Sequence, residues 1–546
     1  RPARAAPLGR GRARGAPRRG RAGLLWAVPY YPRVNNPNEN VRVYMTAALV
    51  DEGSYAIDGM RRRWGWTNDA ACVDRGPEGV APCEGHRPAP GVERAHYSVK
   101  APGTSLLGTP AYALATLFHD DAAGPPSLGS RVWLLRVFGT ALPLFVFLVL
   151  LERAFRREAR DPALARLVFV SLALGSPLLA YGLLFVSHAL SAAAAFGGFL
   201  LLVRARERGE ASFGLAAAAG GLSAGASLFE YPCFFASLAL SVFALATLRP
   251  RRWPAFALGA LPAVGAMMHF QASAFGNPLS PGHRFVENPA YREIHERGFF
   301  GGTGFHPDAA FELLFGARLG LFAMTPVLLL GVVGLVMLLR RPGRRLEGGV
   351  ALAIVLSTYG AVCFLDNWDG GWSVGARYLV VLLPFLAHGA LLALDALAAR
   401  GPRGRAIALA FAAGATLAAL VACGLPSLVF PHVPPDFERP LPQLFLPLLG
   451  DGRGPPTLAA LAGITGARAL LPLAVVAGLP VRVFLAGALR VSRRRLALAT
   501  FVAAPCVAAL ILLPQLLGGR PSDDPGLSAA WDYVDQALVE ELPGAR

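Results

Sequence analysis

The basic residues single out one position in the chain. The chain has 52 lysine and arginine residues, and Lys100 is the one lysine among them, in the segment 97–104, Tyr-Ser-Val-Lys-Ala-Pro-Gly-Thr. Lysine carries a compact charge on a flexible stem, whereas arginine ends in a wide planar fork. A lysine kept in an arginine-biased chain indicates a tight pocket for one phosphate oxygen. The alternatives are a chance lysine and a side chain that snorkels to a membrane surface.

Carboxylates in the segment before Lys100 are candidates for a general base. Glu39 lies near the start of a predicted amphipathic helix on the membrane surface, with Asn36 as N-cap and apolar residues at helical spacing over 41–49. A carboxylate held there can deprotonate an acceptor hydroxyl, so Glu39 is the predicted catalytic residue. Asp51 and Glu52 form an acidic pair and are the alternates. A structural role for Glu39 as a capping-box acid is the competing interpretation.

Further polar residues lie at the ends of apolar runs and in glycine-rich turns. Ionisable residues at such depth are functional candidates by default. Acids, tryptophans and an arginine in the turn 366–377 suit sugar stacking and phosphate contact, so Arg377 is predicted to bind phosphate with Lys100. The structural alternatives are a helix-end histidine and an interfacial aromatic belt. The predicted substrate-lining residues are Tyr44, His188, Glu230, His283, Arg284, Asp366, Asp369 and Trp372.

The cysteines and histidines indicate no metal centre. Cys72 and Cys83 lie in a polar segment, and we expect a disulfide between them if that segment is extracytoplasmic. A zinc site needs more ligands than this pair supplies, and the histidines of 276–306 lack the close spacing of metal ligands. No cofactor is certain from the sequence, and dependence on a divalent metal stays open.

The elements that must position these residues are membrane helices. Hydrophobic residues make up 54% of the 546 residues, charged residues 16%, and the mean hydropathy is +0.45. Apolar runs of about 20 residues predict transmembrane helices. The net charge of +17 does not indicate nucleic acid, because the arginines form short clusters between apolar runs. The predicted spans are 131–151, 164–182, 184–203, 213–229, 231–248, 253–275, 320–340, 349–365, 378–398, 405–425, 468–489 and 495–516.

The arginine clusters predict the orientation of these spans. When the spans are counted along the chain, every cluster falls on one side, which the positive-inside rule makes cytoplasmic. The long polar segments 31–130, 276–318, 366–377 and 426–466 then lie on the extracytoplasmic face, with nearly all the candidate residues. We therefore expect a multi-pass protein of the plasma membrane, the inner membrane in bacteria.

Three regions are predicted along the chain. Residues 1–22 carry eight arginines among alanine, glycine and proline, and are expected to be a basic disordered arm or a mis-called start. Residues 23–516 form the multi-span domain, in which 23–31 is a truncated first span, too short to cross a bilayer. Residues 517–546 form a short extracytoplasmic tail.

Two segments resemble a known family. Residues 38–44, Asn-Glu-Asn-Val-Arg-Val-Tyr, followed by Gly53-Ser54-Tyr55, resemble the first extracytoplasmic loop of GT-C membrane glycosyltransferases of the protein mannosyltransferase and aminoarabinose transferase type, the family-39 type. The segment around Lys100 resembles their Lys-Pro-Pro segment, where a lysine meets the polyprenyl phosphate. The chain departs from the family in having Asn38-Glu39 for Asp-Glu and Lys-Ala-Pro for Lys-Pro-Pro. The resemblance implies an all-α integral membrane protein of about 12–13 transmembrane helices, with extracytoplasmic loops carrying the site.

Together these features predict an inverting glycosyltransferase. The predicted donor is a polyprenyl-phosphate-linked sugar with its phosphate near Lys100 and Arg377, and Glu39 acts as base on the hydroxyl of a glycan, lipid or protein acceptor. The bilayer is the other expected partner, and nucleic acid is not. One alternative is a polymerase or ligase of lipid-linked glycans, which relies on paired arginines in late loops. Another is a multi-span transporter or flippase, which predicts internal repeats and charge pairs at mid-bilayer.

Overall fold

The computed structural model describes residues 28, 36–117, 128–298, 301–459, 463–491, 494–519 and 524–539. The predicted basic arm at 1–22 lies outside these residues, as do the predicted span at 23–31 apart from Val28 and much of the tail at 517–546.

Each predicted span between 131 and 516 corresponds to helical structure in the described residues, so the prediction of a multi-span helical membrane protein is confirmed. The helices are α1 (Pro37–Asp51), α2 (Asp58–Trp64), α3 (Gly103–Leu117), α4 (Leu128–Glu158), α5 (Pro162–Leu174), α6 (Pro177–Leu183), α7 (His188–Glu207), α8 (Phe213–Phe229), α9 (Tyr231–Thr247), α10 (Pro250–Phe275), α11 (Pro289–Glu296), α12 (Pro307–Phe315), α13 (Leu321–Met324), α14 (Pro326–Arg340), α15 (Arg345–Cys363), α16 (Arg377–Ala398), α17 (Pro402–Val429), α18 (Leu441–Gly450), α19 (Leu471–Leu489), α20 (Arg494–Leu516) and α21 (Ser528–Val539).

Fewer helices have the full length of a span than the sequence predicts. Within the described residues, 7 helices are long and apolar enough to cross a membrane, and α5 and α6, bent by 51° at their junction, bring the number to 8 if the pair is one broken span rather than a re-entrant loop. Five shorter apolar stretches, of 10–17 residues, are found in α8, α9, α14, α18 and the part Gly478–Leu489 of α19. The predicted span 320–340 shows one reason: Pro326 has no amide hydrogen to continue α13, so the run divides there.

The helices form a bundle whose centre is α16. In its apolar stretch, 89% of the residues are buried, whereas only 17% are buried in α10 and α20, which therefore lie at the periphery. Apolar side chains on such outer helices suit contact with lipid.

The two ends of the bundle differ in character. At one end, which we call the arginine end, short loops carry ion pairs such as Arg344–Glu347 at 2.6 Å and Arg405–Asp161 at 2.7 Å. At the other, which we call the loop end, long polar segments pack on one another, with Arg61 3.0 Å from Glu287 and Asn36 Nδ2 3.0 Å from His432 Nδ1. The predicted candidate residues lie in the segments and helix ends of the loop end.

A small sheet in the first long segment was not predicted. Strands β1 (Ala70–Gly76), β2 (Gly79–Pro82) and β3 (Glu93–Ser98) form an antiparallel sheet in the order β2-β1-β3. A disulfide joins Cys72 in β1 to Cys83 directly after β2, with an S–S distance of 1.98 Å. Within the described residues, this sheet is the departure from the all-helical prediction.

Helix α1 begins as predicted and packs mainly on protein. The Asn36 side chain accepts a hydrogen bond from the Asn38 amide at 2.9 Å, and Pro37 occupies the first turn. Other segments of the loop end cover most of this helix, including polar Arg42 and Thr46 at 0% exposure, so its side chains pack mainly on protein. The helix therefore holds polar side chains, among them Arg42 and Thr46, in the protein interior. Its position at the membrane surface stays a prediction.

Candidate functional site

Lys100 is the second residue after β3, and its neighbour Val99 lies opposite Asp69, the residue that precedes β1. The antiparallel register pairs Ala70 with Ser98, and the Asp69 carbonyl accepts a hydrogen bond from the Val99 amide at 3.3 Å. Asp69 therefore lies beside Lys100, with Oδ2 3.2 Å from Nζ. The Lys100 side chain is 21% exposed and the Asp69 side chain 30% exposed, so solvent or a ligand can reach the pair.

Arg42, fully buried in α1, ties the segments around Lys100 together. Its guanidinium donates to Asn38 Oδ1 at 3.0 Å, to the Ala101 carbonyl at 3.1 Å and to Ser187 Oγ at 2.9 Å. Its Nη2 also lies 3.6 Å from Glu230 Oε2. Burial lowers the pKa of Arg42 and the Glu230 carboxylate opposes that fall, but arginine remains charged in either case. Arg42 is thus a fixed positive charge in contact with the Lys100 segment, at the Ala101 carbonyl.

Glu230 lies at the break between α8 and α9 and faces the same space. The Ser187 hydroxyl donates a hydrogen bond to its carboxylate, and His188 Nδ1 lies 3.5 Å from Oε2. Helix α3 approaches the end of α8 so closely that a Cβ at Gly103 would lie 2.6 Å from the Leu228 carbonyl oxygen. This close approach holds the Lys100 segment against Glu230.

Arg377, at the start of α16, adds a third cation with an unfilled donor. Its Nη2 donates to the Tyr378 hydroxyl at 3.2 Å, while its buried Nε has no hydrogen-bond partner among the described residues. The Asp69 carboxylate attracts the Arg377 guanidinium, and the charge of Arg42 repels it. Gly370 lies against the guanidinium, since a Cβ there would be 2.8 Å from Nε. A buried guanidinium N–H without a partner is costly, and an anionic ligand oxygen would satisfy it.

Two histidines from the segment after α10 border the cluster. The rings of His283 and His295 have centroids 5.3 Å apart, and Tyr231 lies 6.2 Å from His283. Burial lowers the pKa of His283 to about 4, and His295 and Lys100 act in the same direction. His283 is therefore neutral at pH 7 and adds no charge to the cluster.

The cluster as a whole favours an anion. Among its described members, three cations, Lys100, Arg42 and Arg377, face two carboxylates, Asp69 and Glu230. An excess of positive charge in a partly enclosed site raises the local concentration of an anionic ligand.

Glu39 lies elsewhere, in an enclosed ion pair. Its carboxylate receives two hydrogen bonds from Arg136, from Nε at 2.7 Å and from Nη2 at 2.6 Å, and a third from the Phe185 amide at 2.7 Å. The side chains are 0% and 1% exposed. Burial alone would raise the pKa of Glu39, but Arg136 and the Phe185 amide hold it below its ordinary value. The geometry favours a structural role, and its role as base stays a prediction.

The two alternate bases lie at the end of α1. Asp51 accepts a hydrogen bond from the Tyr112 hydroxyl at 2.8 Å and lies 3.7 Å from Arg131. Glu52 is the exposed C-cap residue of the same helix. Neither has a described contact with Lys100 or Arg377.

The predicted substrate-lining residues of the turn 366–377 each contact a different partner. Asp366 lies 3.2 Å from His306 and Asp369 lies 3.2 Å from Arg318. Trp372 packs edge-on against Tyr533 of α21, with ring centroids 4.2 Å apart. These residues shape the turn that carries Arg377.

Two further predicted residues lie away from the cluster or at its edge. The Tyr44 hydroxyl donates to the Gly65 carbonyl at 3.2 Å from within an apolar core. Arg284 is exposed, next to His283. The structure thus brings together Lys100, Arg377, His188, Glu230 and His283 from the predicted set.

Sequence reasoning missed Asp69 and Arg42. Asp69 carries no local signal, because its position beside Lys100 depends on the pairing of β1 with β3. Arg42 is one of many arginines, and only its place on the buried side of α1 distinguishes it. In the described part of the chain, no group of three or more His, Cys, Asp and Glu residues could hold a metal ion.

The fold and the cluster define a class, a multi-span helical membrane protein with a cationic site at the loop end of its bundle. Among solved structures, the chain is similar to ArnT from Cupriavidus metallidurans in the apo state, with 17% identity and a TM-score of 0.48 over 91% of this chain and 75% of that one. ArnT bound to undecaprenyl phosphate gives 17% identity and 0.45 over 90% and 75%.

Arabinosyltransferase EmbB from Mycobacterium smegmatis gives 15% identity and a TM-score of 0.43, over 97% of this chain and 44% of that chain. These structures are GT-C fold membrane glycosyltransferases, the class that the sequence resembles. The similarity is one of fold. No protein-family model and no curated protein matches the chain.

Proposed function

We propose that the protein transfers a sugar from a polyprenyl-phosphate donor to an acceptor hydroxyl at the loop end of the bundle, on the extracytoplasmic face of the membrane. The observation that supports the proposal is a group of three cations, Lys100, Arg377 and buried Arg42, whose charges all act on His188. A solvent-accessible lysine and an arginine with an unfilled N–H are suitable partners for one phosphate group.

The charge of the cluster matches the chemistry of such a donor. A phosphodiester bears one negative charge, and departure of the sugar leaves a second charge on the phosphate. Positive groups aimed at that developing charge stabilise the transition state more than the ground state. Lys100 and Arg377 would fill this role, because their side chains are not fully committed to protein partners.

The rival polymerase or ligase function fits the described residues less well. It relies on paired arginines in late loops, and the late arginines here are Arg439 and Arg453. Arg439 donates to the Pro514 carbonyl, and Arg453 lies 2.7 Å from Asp535. Both are engaged in holding the loop end together, which leaves the cluster around Lys100 as the better candidate.

The test uses membranes that contain the protein, incubated with radiolabelled undecaprenyl-phosphate sugars of several kinds. We expect Lys100→Ala and Lys100→Arg each to lower transfer about 10²-fold or more, as loss of one transition-state donor does. Arg94→Ala, which removes a cation paired with Asp74 in the same sheet, is the matched control and should retain transfer.

Two results would contradict the proposal. Full transfer by the Lys100→Arg protein would mean that any cation serves at this position, and that the lysine is an accident of composition. If the unmodified protein transferred sugar from none of the donors, a transporter or flippase would become the favoured function.

A further inference from the structure

The cluster contains two carboxylates, and their surroundings differ. Glu230 is contacted by Ser187, His188 and Arg42, and its side chain is 14% exposed. Asp69 is 30% exposed, and its ion pair in the described structure is with Lys100 alone. A group that exchanges protons with a substrate must be reachable by it. Asp69 meets this condition better than Glu230.

We propose that Asp69 is the catalytic carboxylate that takes the proton from the acceptor hydroxyl. The inference rests on the proposed function and adds a residue that neither the sequence pattern nor the family resemblance indicates. Its geometric support is that Asp69 Oδ2 lies 3.2 Å from Lys100 Nζ and that the Asp69 side chain is 30% exposed. The Asp69 carboxylate also attracts the positive charges of Arg42 and Arg377.

The reaction step can be written with all atoms in balance. The acceptor oxygen forms a bond to the anomeric carbon of the donor sugar as the bond from that carbon to the phosphate oxygen breaks. The bonding pair goes to the phosphate, which becomes the dianion between Lys100 and Arg377. The acceptor proton passes to an Asp69 oxygen and from there to water. No oxidant, reductant or further reactant is required.

The ion pair between Lys100 and Asp69 implies that the donor binds before the base becomes available. Before the donor binds, Lys100 Nζ neutralises Asp69 at 3.2 Å. A donor phosphate competes for the same ammonium group, whose flexible stem lets it turn from one anion to the other. Movement of Lys100 to the phosphate frees the carboxylate beside the reacting carbon. Donor binding therefore makes the base available only when there is a sugar to transfer.

The experiment separates this role from a structural one by measuring binding and turnover on the same purified proteins. Binding uses undecaprenyl phosphate as the probe, and turnover uses the donor that the unmodified protein accepts. Asp69→Asn should bind the probe as well as the unmodified protein, or up to about tenfold more tightly because the competitor for Lys100 is gone. Its kcat should fall about 10²- to 10⁴-fold, the usual contribution of a general base.

Two variants complete the test. Asp69→Glu keeps the carboxylate and should recover part of the lost kcat. Asp74→Asn, which breaks the ion pair with Arg94 within β1 and β3, controls for damage to the sheet and should retain kcat. A kcat for Asp69→Asn within threefold of the unmodified protein would overturn the inference and leave the proposed function intact.

The remaining outcomes are also decisive. Joint loss of probe binding and kcat in Asp69→Asn, with no recovery in Asp69→Glu, would reduce Asp69 to a residue that positions Lys100. If the unmodified protein transfers no sugar at all, the proposed function fails and the inference fails with it.

Discussion

Replacing Glu39 by glutamine distinguishes a structural acid from a catalytic one. The carboxylate and the Arg136 guanidinium form two charge-assisted hydrogen bonds at 2.7 and 2.6 Å, and neither side chain has appreciable contact with solvent. Glutamine has nearly the same shape and can still accept from the Phe185 amide. The substitution therefore removes the negative charge and leaves the arginine charge buried.

The expected loss of stability follows from the burial of the unpaired Arg136 charge. Breaking a buried ion pair by removing one partner costs about 3–5 kcal/mol. Because glutamine keeps the Phe185 hydrogen bond, we expect the lower part of that range. Removing both charges, in Glu39→Gln with Arg136→Gln, should cost less than Glu39→Gln alone, since no uncompensated charge remains.

The assay combines the free energy of unfolding in mixed micelles with transfer per folded molecule. We expect Glu39→Gln to lower the free energy of unfolding by about 3 kcal/mol and the double variant to recover part of it. Transfer by the fraction that remains folded should stay within a few fold of the unmodified protein. The reasoning is refuted if Glu39→Gln unfolds like the unmodified protein but transfers nothing, because Glu39 would then be the base.

Two other positions offer independent tests. Gly370→Ala and Gly371→Ala both force alanine into the left-handed region, at φ 70° and 68°, with strain of about 1–2 kcal/mol each, but only a Cβ at Gly370 contacts Arg377. Transfer should therefore fall on the order of 10²-fold more in Gly370→Ala, and equal losses would refute the contact. Burial would lower the pKa of His96, but Asp58 at 2.7 Å and Glu287 at 3.5 Å raise it above its ordinary 6.5. The stability this histidine adds is complete below pH 6.5 and is lost as pH rises through the raised pKa, so thermal unfolding from pH 6 to 9 should show a decline that His96→Gln lacks.

The helical membrane fold was predictable because each apolar helix is formed by one continuous stretch of sequence. The apolar residues of a run such as 378–398 are enough to predict a helix in an apolar medium, without knowledge of the helices that pack against it. The strands lacked such a signal, since β2 has four residues and β1 shows no regular alternation of polar and apolar residues. The burial of α1 was also out of reach, because it depends on segments distant in the chain.

Residues of the candidate site could be predicted from the sequence only where their type or their local segment was unusual. Lys100 is conspicuous among arginines, and Arg377 lies in an unusual turn. Asp69 is one acid among many until β1 pairs with β3 and places it at Lys100. Glu39 is the opposite case. Its position in a motif-like segment predicted a catalytic role, and in the folded protein it forms a buried ion pair with Arg136.

If the proposed function is right, the contrast between Lys100 and its arginine neighbours explains why the composition distinguishes this position. Arg42 is held by Asn38, Ala101 and Ser187, so its planar fork is fixed in one geometry and serves as a permanent charge. An arginine at position 100 could bind the Asp69 carboxylate with two parallel hydrogen bonds, a geometry that would resist exchange. A lysine makes a single-point contact and can leave it for a phosphate at lower cost. If Lys100 must alternate between Asp69 and a donor, arginine is the substitution that preserves charge and still stops the cycle.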